Sequence, residues 1–184
     1  RISPTRWSPG QRFDLMVHSV EQLEMLEGRA GTETVSTWIK VDTGMNRLGF
    51  RVEQFAGAYA RLQRVANVAP EPTLVTHLAS ADDRGDAKTG DQLRAFAAAT
   101  AGLAGARSIA NSAALIAWPD TRSDWVRPGL VLYGVSPFPD GTGTGLGLRP
   151  AMTLQSEVIA VKDVAAGETV GYGGAWRAAR ATRM

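Results

Sequence analysis

Eight residues, Lys40 to Arg47 in "KVDTGMNR", put an amine, a carboxylate and a guanidinium just past an aliphatic run. An arginine fork binds carboxylate or phosphate through two parallel hydrogen bonds, and a lysine amine turns nucleophilic once its charge is discouraged. Thr43-Gly44 reads as a turn that swings Arg47 back toward Lys40. A plainer reading is also open: two neighbours on a solvated edge and a loop charge. Elsewhere the chemistry-bearing groups are His18, His77, Asn111-Ser112 and Arg127 with Pro128-Gly129. A lone histidine after an apolar strand is more often a satisfied core residue than a site residue, and on that ground alone both His18 and His77 read as core.

Composition narrows what these groups can do. With no cysteine, disulfides, thiolate catalysis and zinc-thiolate sites are excluded. Neither histidine stands in a metal-ligand spacing, so no metal is expected. The formal charge is only +2, from seventeen arginines and three lysines (Lys40, Lys88 and Lys162) against eighteen acids. That small surplus predicts no nucleic-acid or membrane partner. No apolar run is long enough to span a bilayer and there is no signal peptide, so a cytoplasmic location is expected.

The elements that must position these groups alternate. Leu15–His18, Val35–Val41, Thr73–His77, Ser108–Ala110 and Trp125–Tyr133 read as short buried strands. Helical patterns lie between them. Ser19 and Gln22 have capping-box spacing ahead of "VEQLEMLEG"; Val52, Phe55, Tyr59 and Leu62 recur at helical intervals; Thr89 and Gln92 repeat the capping-box spacing before Leu93, Phe96, Thr100 and Leu103. Such alternation predicts an α/β fold with a parallel sheet and function at the carboxyl ends of its strands. His18, Lys40 to Arg47, His77, Asn111-Ser112 and Arg127 to Gly129 all fall there. From residue 137 the pattern changes: 137–150 is Pro/Gly-rich and reads as a flexible linker. Beyond it, Met152, Leu154 and Val158 to Val161 alternate before a turn at Ala165 to Gly167, predicting a hairpin that opens an all-β domain.

The stretches "KVDTGMNRLGF", "THLASAD", "SIANSAAL", "RPGLVLYG" and "GETVGYGGAW", in this order, resemble the alanine racemases, enzymes that use pyridoxal 5'-phosphate (PLP) to interconvert L- and D-alanine. The resemblance implies a (β/α)8 barrel followed by a β domain, in a homodimer whose subunits share two active sites. It implies D-alanine supply for peptidoglycan. Residues 1–136 would hold about barrel strands four to eight, and 151–184 the start of the β domain. Arg127 matches the arginine facing the pyridine nitrogen of PLP, and His77 the histidine beside the ring that orients it. Ser112 and the backbone amides of Gly129 and Leu130 match the phosphate cradle. Arg47 matches the arginine on the cofactor phenolate and substrate carboxylate. Lys40 matches a lysine often found as a carbamate, an anion that would steady Arg47. Tyr172 matches the tyrosine that serves as one catalytic base in the partner subunit's site. A free tyrosine ionises near pH ~10, so it would need cationic help.

The family's other base, a lysine in a motif resembling K-A-N-A-Y-G-H-G, is not in this sequence, and Lys40, Lys88 and Lys162 belong to other motifs. The chain is therefore expected to be part of a longer enzyme and inactive alone. Two alternatives remain open: a related PLP barrel enzyme, such as a serine racemase or an amino-acid decarboxylase, and a non-catalytic binding module.

Overall fold

Apolar side chains spaced two apart need a covering layer, and in this chain amphipathic helices supply it. The computed structural model describes residues 13–29 and 33–184. The opening "RISPTRW", with the rest of 1–12, lies outside the described residues. The first compact unit extends to Ala151. In chain order it contains β1 (Leu15–Val17), α1 (Val20–Glu27), β2 (Thr37–Asp42), β3 (Phe50–Arg51), α2 (Val52–Leu62), β4 (Thr73–Val75), α3 (Lys88–Ala99), β5 (Arg107–Ser108) and α4 (Ser112–Ala117). The sheet runs β1-β2-β4-β5, with β3 beside the end of β2. Every pairing in it is parallel; Val17 faces Ile39, Lys40 faces Val75 and Val75 faces Ser108. Because the order never reverses, there is no switch point of the doubly wound kind, and the sheet is built as a barrel wall is built.

Side-chain alternation sorts the two faces. Ile39, Val41 and Leu74 are fully buried with Leu23, Phe55, Leu62 and Phe96 of the helices. Each such side chain contributes about 1.5–3 kcal/mol relative to exposure. The intervening residues of β2, Trp38, Lys40 and Asp42, point the other way. On that face the Trp38 ring lies 5.7 Å from Trp125, tilted by 53°, and its Nε1 donates to Asp14 Oδ2.

Several elements differ from the expectation. Val35 is not in β2 but makes an isolated bridge to Val68. The third and fourth strands end at Val75 and Ser108, two residues early. The fifth strand over Trp125–Tyr133 does not form. Trp125 makes one parallel bridge to Ser108, and Arg127 N–H donates to Ala110 O at 2.9 Å. Pro128 then removes a ladder donor, and Leu130–Tyr133 is a 3-10 turn closed by Gly134 at φ 78°. Neither capping box forms. Gln22 Oε1 accepts from His18 N–H instead, and α3 begins at Lys88, which puts Thr89 and Gln92 inside the helix. The Pro/Gly-rich connector is folded rather than slack. Ala151 N–H reaches Tyr133 O, Thr144–Leu146 is a 3-10 turn, and Phe138 packs on the core under the Arg84 guanidinium.

The second unit is Met152–Met184. It holds β6 (Asp163–Val164), β7 (Thr169–Val170), β8 (Trp176–Arg177) and β9 (Thr182–Arg183). The antiparallel pairs are β6 with β9 and β7 with β8, so the turn at Ala165 to Gly167 joins strands of different pairs. Residues 151–162 form no strand, although their pattern predicts one. Leu154 and Ile159 are both 99% exposed, and backbone partners reach only the two ends of the segment, Ala151 from Tyr133 and Lys162 from Met184.

Candidate active site

The turn after β2 is organised by Asp42. Its Oδ1 accepts from the N–H groups of Gly44 and Asn46, each at 3.0 Å. Burial would raise the Asp42 pKa, but these bonds and the Lys40 charge outweigh it and hold the carboxyl below its ordinary value. Asp42 is thus a turn-former rather than a reacting group. Gly44 at φ 134° and Asn46 at φ 55° bend the chain, and Arg47 emerges exposed. Gly49, at φ 123°, passes so close that a Cβ there would stand 2.8 Å from Asp42 N. Lys40 is 7% exposed and makes no ion pair among the described residues. Burial, with Arg47 and Arg127 nearby, lowers its pKa against the pull of Asp42.

Arg127 is pinned from three sides. Nη1 donates to Ser108 Oγ at 2.5 Å, and Nη2 to Thr76 O at 2.5 Å and Ile109 O at 3.4 Å. The His77 ring is not among these partners; the Ser108 hydroxyl and two backbone carbonyls at the strand ends hold the fork. His77 instead feels Arg127 as a charge. Burial, then Arg127, Lys40 and Arg47, push its pKa down to about 4. The ring is therefore neutral near pH 7, beside three cations.

Asn111 caps α4: its Oδ1 accepts from Ala114 N–H at 3.0 Å, and its Nδ2 donates to Leu78 O. Buried Ser112 follows, and its Oγ accepts from Gly129 N–H at 2.7 Å. The two loops that carry Ser112 and Gly129-Leu130 are thereby joined. Among the described residues, no group of three or more His, Asp or Glu could hold a metal ion. The donor set that results is cationic, suited to a ligand with several negative oxygens.

Comparison with known proteins agrees with this inventory. Residues 5–137 match the sequence model described as alanine racemase, N-terminal domain, and residues 151–184 the one described as alanine racemase, C-terminal domain. The chain belongs to the alanine racemase family. The alanine racemase of Shewanella loihica is 50% identical over 172 residues, which are 94% of this chain and 48% of that protein. That of Shewanella baltica (strain OS185) is 49% identical over 175 residues, 95% of this chain and 49% of the relative. Among solved structures, the biosynthetic alanine racemase of Pseudomonas aeruginosa superposes with a TM-score of 0.77 at 40% identity, covering 94% of this chain and 48% of that one. The alanine racemase of Streptomyces lavendulae gives 0.80 at 35%, covering 96% and 51%. The chain spans about half the length of the relatives it matches.

Within this chain the parallel sheet is part of the family's TIM-barrel-like N-terminal domain, and the short antiparallel strands are part of its C-terminal domain. Tyr172 lies in the second unit, in a 3-10 turn between left-handed glycines, and is fully exposed. The first unit brings Lys40, His77 and Arg127 together electrostatically, with Arg47 acting on both Lys40 and His77. Sequence reasoning missed Ser108 and Thr76, which hold Arg127, and Gln92. The signal for Ser108 was a small polar residue at the head of an apolar run; Thr76 acts through its carbonyl, which leaves none. Gln92 gave a misleading one, since its spacing from Thr89 imitates a cap.

Proposed function

We propose that the protein carrying this chain is a PLP-dependent alanine racemase that interconverts L- and D-alanine with two bases and so supplies D-alanine for peptidoglycan. The observation that carries the reading is the gathering of Lys40, Arg47 and Arg127 around a neutral His77, without a carboxylate to neutralise them apart from the turn-forming Asp42. Cations concentrated in this way call for an anion that the described residues do not supply.

These residues fit PLP. Ser112 Oγ and the amides of Gly129 and Leu130 would hold its phosphate, with the Gly129 N–H turning from Ser112 Oγ to the anion; Arg127 would face its pyridine nitrogen, and Arg47 would meet its phenolate and the alanine carboxylate. When bound, PLP supplies an electron sink next to the substrate Cα. Arg127 keeps its proton at any working pH, so it donates a hydrogen bond without protonating the ring, and the sink stays moderate. His77, being neutral, can hand a hydrogen bond onward without adding a fourth charge. Burial lowers the pKa of Lys40 and so eases loss of its proton to give the neutral amine, the form that adds carbon dioxide and loses a proton to become a carbamate anion. Tyr172 would take or return the Cα proton on one face, in the neighbouring subunit of a homodimer. A lysine outside these 184 residues would serve the other face and hold PLP as a Schiff base. In this reading residues 1–136 are barrel, 137–150 the connector and 151–184 the start of the β domain. The enzyme is cytoplasmic and binds neither nucleic acid nor membrane.

The test is made on the native protein as isolated. Borohydride reduction with peptide mapping should find a pyridoxyl group on one lysine, and intact mass without acid should read any carbon dioxide on Lys40. Tyr172→Phe should remove most turnover, about a hundredfold or more, in the direction that uses this base. Unchanged rates in both directions, or no pyridoxyl lysine, would reject the reading.

A further inference from the structure

We propose that Gln92 is a positioning residue of this site, a buried amide on α3 that locks the Arg47-bearing turn to the strand end carrying His77. The inference rests on the racemase reading above for its catalytic consequence, but not for its geometry.

On α3 the charged residues Lys88, Asp91 and Arg94 are exposed, as on a helix outside a sheet. Gln92 faces inward with Thr89 and Phe96 and is 1% exposed. A glutamine there loses rotamer freedom and water, losses that a leucine would largely offset by apolar burial. Its bonds explain its presence. Oε1 accepts from Ala79 N–H at 2.8 Å, while Nε2 donates to His77 O at 3.0 Å and to Thr43 Oγ1 at 3.2 Å. A backbone N–H can only donate and a carbonyl can only accept, so these two partners fix which end of the amide is which. Only a side chain that donates and accepts at once satisfies both.

The network does not stop at Gln92. Thr43 Oγ1 meets Thr76 Oγ1 at 2.7 Å, and the Thr76 carbonyl is the one that accepts from Arg127. Gly44 lies against the Gln92 side chain. One amide therefore ties together the turn after β2, the end of β4 and the anchor of Arg127. It touches neither substrate nor cofactor in the reading above, and it acts through the groups it holds.

Two substitutions separate positioning from packing. Gln92→Leu keeps bulk and leaves Ala79 N–H and His77 O without partners. Gln92→Glu keeps shape, but as a carboxylate it confronts the His77 carbonyl with an acceptor; once protonated it regains one donor. In the native protein, kcat/KM should fall about ten- to hundredfold in both. The Gln92→Glu enzyme alone should recover activity as pH is lowered through the titration of its buried carboxyl. Parallel pH profiles for the two variants would overturn the proposal. A second readout needs no cofactor: amide hydrogen exchange over residues 43–47 and 77–80 in PLP-free protein should accelerate in both variants. Unchanged exchange overturns the proposal whatever the activity does. If unmodified protein proves unable to racemise alanine while exchange still accelerates in the variants, the racemase reading fails and the positioning role stands. Where Gln92→Leu does not fold, Thr43→Val, which removes the hydroxyl between Gln92 and Thr76, should show the same accelerated exchange over 43–47, and Thr43→Ser should reverse it; no acceleration in Thr43→Val overturns the proposal.

Discussion

His77 shows how one side chain's charge state is decided by its neighbours. An ordinary histidine titrates near ~6.5, and burial with Arg127, Lys40 and Arg47 pushes His77 down to about 4. The unfolded chain therefore binds a proton here before the folded one does as pH falls. The neutral ring's contribution to stability is complete above the ordinary value and is lost as pH falls toward about 4. The unfolding midpoint should decline across that window, and His77→Asn should flatten the decline; an identical slope in the variant would show that neither burial nor the cations shift this ring. The types and spacing of Lys40, Arg47, His77 and Arg127 marked them in the sequence, because charges rarely end aliphatic strands without reason. What orients them was hidden. Arg127 is held by Ser108 and by carbonyls of Thr76 and Ile109, and a carbonyl has no signature in a sequence.

At the scale of elements, the βαβ rhythm was legible because strand and helix periods differ, two against about 3.6, and β1, β2, β4 and the first three helices follow them. The departures have local causes. Pro128 and Gly129 end the pairing of the Trp125 segment, although its aliphatic residues continue to Leu132. Thr89 and Gln92 imitate a cap because the same three-residue spacing also puts two side chains on one helix face. The turn after β2 is one of the places where a single added methyl group would clash with backbone. Gly49→Ala would place a Cβ 2.8 Å from Asp42 N at a backbone angle that side chains avoid. It should cost about 1–3 kcal/mol and loosen Arg47 as well. Denaturant unfolding would measure the first effect and substrate KM the second; an unchanged midpoint would mean that the turn yields freely.

Across the whole molecule, apolar surface is distributed unevenly. Met152, Leu154, Val158, Ile159 and Val161 are between 56% and 99% exposed in one run of ten residues. Unpaired extended chain with this composition seeks a partner strand. The 184-residue chain expressed by itself should self-associate and bind an apolar dye, a change that light scattering and dye fluorescence would record. A monodisperse monomer without dye binding would show that the run is tolerated by water. Sequence alternation found these residues but not their state, since alternation records what a segment can cover and not whether a cover is there.

The two indoles that meet on the polar face of the sheet have an optical consequence. Trp125 stands two residues before Arg127 and 5.7 Å from Trp38, whose Nε1 is anchored on Asp14. Their emission originates within a few side chains of the cationic cluster, so a bound chromophore there would accept excitation from both rings. The protein thus carries its own fluorescence gauge of occupancy, and titrations can be followed without attaching a label or awaiting turnover.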